Sequence, residues 1–190
     1  MTSPLRERRR QETADEIAAA ALDLADRDGW AAVTADDIAA AAGVSRRTFF
    51  NYFPSKDDAL LHSGHTWDED ALERFATSTG PLLPALEELL GAQSALMAAD
   101  RDRFLRVMGV VEANPELLPR MLARFHETEQ VFATAYARRD PAADDLRAQA
   151  VAAVVGALLR VSAHEWVHDP SADPQRSVRR VLDALRALTA

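Results

Sequence analysis

The residues with the clearest capacity for chemistry lie in the stretch 38–56, I-A-A-A-A-G-V-S-R-R-T-F-F-N-Y-F-P-S-K. Arg46, Arg47 and Asn51 carry forked polar groups. An arginine pairs bidentately with the edge of a guanine, and an asparagine with that of an adenine. The hydroxyls of Thr48 and Tyr52 suit phosphate oxygens, which position a protein on a duplex without reading its sequence. A second pattern points elsewhere. His164-Glu-Trp-Val-His168 matches H-E-x-x-H, in which two histidines one helical turn apart share a zinc ion and the glutamate serves as general base. A hydrolytic zinc site takes a third protein ligand. Beyond His168 the chain offers only Asp169, Asp173 and Asp183 as candidates, and Pro170 opens a turn at once. The match therefore reads as a coincidence at a helix end, and His62-x-x-His65 is a weaker instance of the same kind. The chain has no cysteine, which excludes a thiolate metal site, a disulfide framework and a cysteine nucleophile. No glycine-rich phosphate loop, G-x-S-x-G elbow or dinucleotide fingerprint occurs. Neither catalysis nor a cofactor is expected.

What must position these groups is a helical scaffold. Ala, Leu, Arg, Glu and Asp dominate, and no stretch sustains an alternation of period two. A first helix is expected from about residue 8 to residue 28, with Ile17, Ala21, Leu24 and Ala25 as its apolar stripe and Gly29 to close it. Thr34-Ala-Asp-Asp37 reads as a capping box for a second, short helix that ends at Gly43. Ser45 caps a third that stops near Phe53-Pro54, and Ser55-x-x-Asp58 repeats the capping pattern for a fourth. Gly43 permits a tight connection between the second and third helices, with Val44 wedged between them. This is the layout of a helix-turn-helix, whose second helix lies in the major groove of DNA. Val44, Phe49 and Phe53 fall at inward spacings and leave Arg46, Arg47, Thr48, Asn51 and Tyr52 to point outward or flank the interface. Pro81, Pro84, Asp100, Asn114-Pro115, Pro119 and Asp140-Pro141 punctuate the remainder, and two long helices are expected near residues 142–168 and 172–188. The expected fold class is all-α, with about nine helices.

The chain of 190 residues carries a net charge of −8, unevenly spread. Residues 1–56 hold 8 basic and 9 acidic side chains, net −1, whereas residues 57–190 hold 14 and 21, net −7. Arg6, Arg8, Arg9 and Arg10 cluster near the beginning. A local basic face can bind phosphates on an acidic protein, and beside a helix-turn-helix this cluster reads as an arm reaching the DNA backbone. No apolar run approaches the ~20 residues that span a bilayer, and no apolar stretch follows the first arginines. No membrane association, no secretory signal and a cytoplasmic location are expected.

The segment from about residue 9 to residue 60 resembles the N-terminal domain of the TetR family of bacterial regulators. Ile17, Ala20, Leu24, Gly29, Thr34, Ile38, Ala39, Gly43, Val44, Ser45, Thr48, Phe49, Tyr52, Phe53, Ser55 and Lys56 stand in the order that family uses. The resemblance implies a DNA-binding domain over residues 1–56 and a larger helical domain over residues 57–190 for effector binding and dimerisation. It implies that Arg46, Arg47 and Asn51 read bases. Thr34, Ser45, Thr48, Tyr52 and Lys56 would complete the DNA-binding set, with Thr34, Thr48, Tyr52 and Lys56 on the phosphate backbone. Lys56 is the one lysine in the chain. One departure is Phe50, where the family often has tyrosine. Phenylalanine cannot donate a hydrogen bond, and is left either to touch a thymine methyl or to fill the core. The implied function is that of a sequence-specific transcriptional regulator, a repressor in the family's usual sense. A small, largely apolar effector would release it from a palindromic double-stranded operator, which it would bind as a homodimer.

The larger domain offers weaker signals. Trp67, Phe75, Met97, Phe104, Met108, Phe125, Phe132, Tyr136 and Trp166 are the candidate lining of an effector pocket, because such pockets are mostly apolar with a few placed polar groups. His62, His65, His126 and His164 could supply those groups. The resemblance places the dimer interface on the last two helices, where Val151, Val155, Leu158, Leu159, Val178, Leu182 and Leu185 recur at helical spacing. Gly156 would permit close helix approach.

Overall fold

A computed structural model describes residues 4–62, 67–169 and 173–189. Among the described residues there are ten α-helices, two short 3-10 turns and no strand. The helices are α1 (Pro4–Asp28), α2 (Ala35–Ala41), α3 (Arg46–Tyr52), α4 (Lys56–Leu60), α5 (Glu69–Thr77), α6 (Leu82–Ala99), α7 (Arg101–Ala113), α8 (Leu118–Arg139), α9 (Asp145–His168) and α10 (Pro174–Thr189). The 3-10 turns are Trp30–Ala32 and Pro115–Leu117.

The expected boundaries hold where a cap or a glycine fixes them. Gly29 adopts φ 78°, and its N–H reaches the carbonyl of Ala25 at 3.0 Å, closing α1. Asp144 accepts the N–H of Arg147 at 2.8 Å, so α9 starts there rather than at residue 142. At the other extreme α1 begins earlier than the apolar stripe suggests. Arg6, Arg8, Arg9 and Arg10 therefore lie on its first turns rather than on a loose arm.

The chain divides into two compact units. The first comprises Met1–Gly64 with Asp102–Arg124, the second His65–Arg101 with Phe125–Ala190. The expected division after residue 56 is thus displaced, for a physical reason. Ala59 and Leu60 of α4 are buried in the same core as Ile17, Ala21, Trp30, Ile38, Phe49 and Phe53, and Val110, Val111 and Leu117 complete that core from later in the chain. The second core joins Trp67, Phe75, Leu89, Leu90, Phe132, Tyr136, Ala148, Val155, Val178 and Leu182.

Candidate nucleic-acid interface

The helix-turn-helix is built from reciprocal caps around one left-handed residue. The hydroxyl of Thr34 accepts the N–H of Asp37 at 3.2 Å, and the Asp37 carboxylate accepts the N–H of Thr34 at 2.9 Å. This satisfies donors that the first turn of α2 cannot satisfy within itself. The Thr34 hydroxyl also donates to the carboxylate at 2.6 Å, and these bonds hold Asp37 below the usual carboxylate range. α2 ends at Gly43, whose φ of 68° reverses the chain with no Cβ to obstruct it. Ser45 caps α3 by accepting the N–H of Thr48 at 3.0 Å, and the two hydroxyls lie 2.8 Å apart. Phe49, fully buried, anchors α3, and Phe53 follows one turn later with ring centroids 6.1 Å apart.

Anchoring Phe49 fixes which side of α3 faces water. Arg46, Arg47, Phe50 and Asn51 are exposed, and Thr48 and Tyr52 are half-buried at the flanks. Arg47 and Asn51 have no hydrogen-bond or ion-pair partner among the described residues. They are donors and acceptors with nothing to bond but water or a ligand. Arg46 is already steered. Its guanidinium donates to Asp36 at 2.6 Å and lies over the Phe50 ring at 5.5 Å. The guanidinium of Arg10 on α1 lies 5.4 Å from the Tyr52 ring centroid, which brings one member of the arginine cluster to the edge of this face.

Lys56, expected on the phosphate backbone, has partners within its own unit. Its ammonium donates to the carbonyls of Trp30 and Val33 at 2.9 and 2.8 Å and sits 4.7 Å from the Trp30 ring centroid. Both carbonyls belong to the link between α1 and α2, so Lys56 ties α4 to that link. Next to it, Asp58 is buried, bonds the Ser55 hydroxyl at 2.6 Å and accepts from Arg120 Nε at 2.6 Å. His62 closes the same unit. Its Nε2 lies 3.3 Å from both Asp15 and Gln11, its ring packs edge-on against Phe53 at 5.2 Å, and its carbonyl accepts from Arg103. Burial pushes the imidazole below its ordinary value near 6.5. Asp15 opposes this, and Arg103 and Arg124 add to it.

The set expected to line an effector pocket is divided between the two units. Trp67, Phe75, Phe132 and Tyr136 are buried against one another in the second core, with ring centroids 5.2 to 6.4 Å apart along the series. The Trp67 indole donates to the Thr128 carbonyl at 3.0 Å. Phe104 and Met108 belong to the first unit, as does His62, whereas Met97 and Phe125 belong to the second and are half-buried there. His65 and the side chain of Trp166 lie outside the described residues. Two clefts of the second unit share Tyr136 alone with that set. One of about 440 Å³ lies between α6 and α10, with Pro84, Glu87, Gly91, Gln175 and Arg179 in its lining. Another of about 240 Å³ is lined by Thr79, Tyr136, Arg139, Asp140 and Arg147 among others.

The dimer set needs a similar correction. Val155, Val178 and Leu182 are buried within the second core, and Val151, Leu158 and Leu159 pack against it. Val155, Val178 and Leu182 hold α9 and α10 together inside one subunit, and Val151, Leu158 and Leu159 remain half-buried. The Leu185 side chain lies outside the described residues. The apolar face that α9 does expose is the opposite one, with Leu146, Val154 and Val161 at 75%, 43% and 56% exposure and the exposed Ala150 and Ala153 between them. By length and composition alone the stretch Asp145–Glu165 could cross a bilayer, with a mean hydropathy of 1.4 and 22% of its apolar window buried. Gly156 makes room for a side chain rather than for a neighbouring backbone. A Cβ there would lie 2.8 Å from Glu129 Cγ, and the Glu129 carboxylate accepts from Arg160 at 2.7 Å.

In the H-E-x-x-H pattern Glu165 pairs with Arg180, and the His168 side chain lies outside the described residues. No group of three or more metal-ligating side chains occurs among the described residues.

Sequence comparison agrees with the helix-turn-helix and extends beyond it. The family described as bacterial regulatory proteins, tetR family, matches residues 17–62, and the MftR C-terminal domain matches residues 80–190. The chain is 31% identical to the HTH-type transcriptional regulator TcmR of Streptomyces glaucescens, over 96% of this chain and 86% of that one. It is 30% identical to the transcriptional regulator MftR of Mycobacterium tuberculosis, over 95% and 92%. Among solved structures, Thermus thermophilus FadR, a transcriptional repressor determined in complex with lauroyl-CoA, superposes with a TM-score of 0.59. It is 26% identical, covering 90% of this chain and 92% of that one.

Proposed function

The chain belongs to the TetR family of DNA-binding transcriptional regulators, and from that premise we propose that it is a homodimeric repressor released from a palindromic operator by a small, largely apolar effector. The observation that carries the reading is the solvent face of α3. A buried Phe49 turns Arg46, Arg47 and Asn51 outward together, with side-chain chemistry that matches guanine and adenine edges. Thr48 and Tyr52 flank that face and suit phosphate oxygens, whereas Thr34 and Ser45 serve first as caps. Lys56 acts through the backbone it ties down.

Dimerisation through the exposed face of α9 fits the same reading. A stripe of Leu146, Val154 and Val161 on an otherwise charged protein is stabilised by burial against its own copy, as symmetric dimers provide. A two-fold axis would then set two copies of α3 about one DNA turn apart, ~34–36 Å. An effector in the second unit favours release only if it binds the released pose more tightly than the DNA-bound one. The repressor sign and an acyl-bearing effector are supported by the likeness to FadR. Such a protein acts in the cytoplasm, where its operator is.

The test is selection of binding sites from random duplex DNA, followed by affinity measurements at two salt concentrations. An enriched palindrome, bound with an affinity that falls steeply with salt, is the expected result. Salt-sensitive binding with no enriched sequence, in the presence or absence of acyl-CoA, would overturn it.

A further inference from the structure

Phe50 is the one member of the α3 face whose chemistry neither base-edge hydrogen bonding nor phosphate contact uses. It is 44% exposed although it is a phenyl ring on a helix of charged and polar side chains. It is not loosely held. Its ring stands edge-on to the buried Phe49 at 5.2 Å and 85°, and the guanidinium of Arg46 lies over its other side at 5.5 Å. Arg46 is in turn fixed by Asp36, which takes NH1 at 2.6 Å and leaves the Nε and NH2 edge for a bidentate partner. Two side chains one helical turn apart are thus ordered before any ligand arrives, so little rotamer freedom remains to be lost on binding.

Within a major groove the apolar feature that a ring can meet is the C5-methyl of thymine, and the edge that suits a forked guanidinium is O6 and N7 of guanine. We propose that Phe50 and Arg46 form one reading unit, with Phe50 against a thymine methyl and Arg46 on a guanine one or two base pairs away. The distance follows from geometry. Positions four apart on a helix are separated by ~6 Å along its axis, and base pairs by ~3.4 Å. Asp36 is a positioning residue for Arg46. The inference rests on the reading of α3 as the recognition helix and adds to it the base pairs that Phe50 and Arg46 select together.

The test uses the full chain and the duplex obtained by site selection. Each thymine of the half-site is replaced in turn by uracil, which removes only the methyl group, and affinity is measured by fluorescence anisotropy. For the unsubstituted protein one thymine per half-site is expected to show a loss of about fourfold, roughly the worth of one buried methyl group. That thymine should lie within two base pairs of a guanine whose selection is relaxed by Arg46→Ala. Phe50→Ala should still bind the duplex but no longer distinguish thymine from uracil there, while Phe50→Leu retains part of the difference. A thymine–uracil difference that survives Phe50→Ala, or no methyl-sensitive thymine near the guanine, overturns the inference and leaves the recognition helix standing. Failure to select any site overturns both.

Discussion

The first unit of this protein spends its polar side chains on fixing short helices, and the second spends its aromatic ones on filling a core. In the first, Thr34, Ser45 and Ser55 each cap a helix of seven residues or fewer. Lys56 and Arg120 serve internal partners. On α3 the side chains of Arg47 and Asn51 have no internal partner among the described residues. In the second, Trp67, Phe75, Phe132 and Tyr136 pack together, and α9 leaves Leu146, Val154 and Val161 exposed. The difference bears on the partner proposed for each unit. A polar remainder on a short, rigid helix suits the donors and acceptors of a DNA groove, and an apolar remainder on a long helix suits a second copy of itself.

The largest expected effect separates core from pocket in the second unit. Phe132 is fully buried among Trp67, Phe75 and Tyr136, so Phe132→Ala should cost about 3–5 kcal/mol in urea unfolding, as cavity-forming truncations do. A loss below about 1 kcal/mol, far short of a cavity-forming truncation, would mean that the ring borders an open cavity, and the contrast between the units would weaken. Next in size is the exposed stripe of α9. Placing arginine at both Val154 and Val161 puts uncompensated charge into the proposed dimer seam, which burial penalises strongly. Sedimentation should show a folded monomer whose operator affinity has collapsed; an unchanged dimer would move the interface elsewhere.

Smaller effects sharpen the picture of the first unit. Thr34→Ala removes the reciprocal cap of α2 and should lower stability by ~1 kcal/mol, measured by thermal melts. His62 should give a pH signature. Because burial holds its folded value below the ordinary 6.5, the unfolded chain binds the proton more readily, and stability must fall as the pH drops below about 6.5 toward the folded value. The same contribution is fully present above that window. His62→Gln, which keeps a polar group beside Gln11 and Asp15, should flatten the difference between melts above and below the ordinary value near 6.5. A profile identical to that of the unsubstituted chain would show that the imidazole is not buried as described.

The same contrast explains what could be read from the residues alone. Gly29, Thr34, Gly43, Ser45 and Ser55 act on neighbours within a few positions, so their spacing announces the turns and caps directly. The solvent face of α3 follows because Phe49 and Phe53 recur at helical spacing. What was not legible depends on which helix lies against which. Nothing near Lys56 in sequence announces that its ammonium is held by Trp30 and Val33, and nothing near Arg46 announces Asp36. On α9 both faces are apolar, because one packs into the second core beside α10 and the other does not. Periodicity therefore does not separate Val155 and Leu158, which pack into the core, from Val154 and Val161, which are outside. Trp67, Phe75, Phe132 and Tyr136 suit a pocket or a core equally well by type, and all four are packed in the second core.

The measurement that bears most directly on the central claim is the affinity of the Arg46→Ala, Arg47→Ala double variant for the selected operator and for an unrelated duplex, each over a series of salt concentrations. If α3 reads bases, operator affinity should fall by ~1–3 kcal/mol for each bidentate arginine–guanine pair removed, while binding to the unrelated duplex changes little beyond a shallower salt slope. Equal affinity of the variant and the unsubstituted protein for the operator would contradict the account, and would place sequence recognition somewhere other than the solvent face of α3.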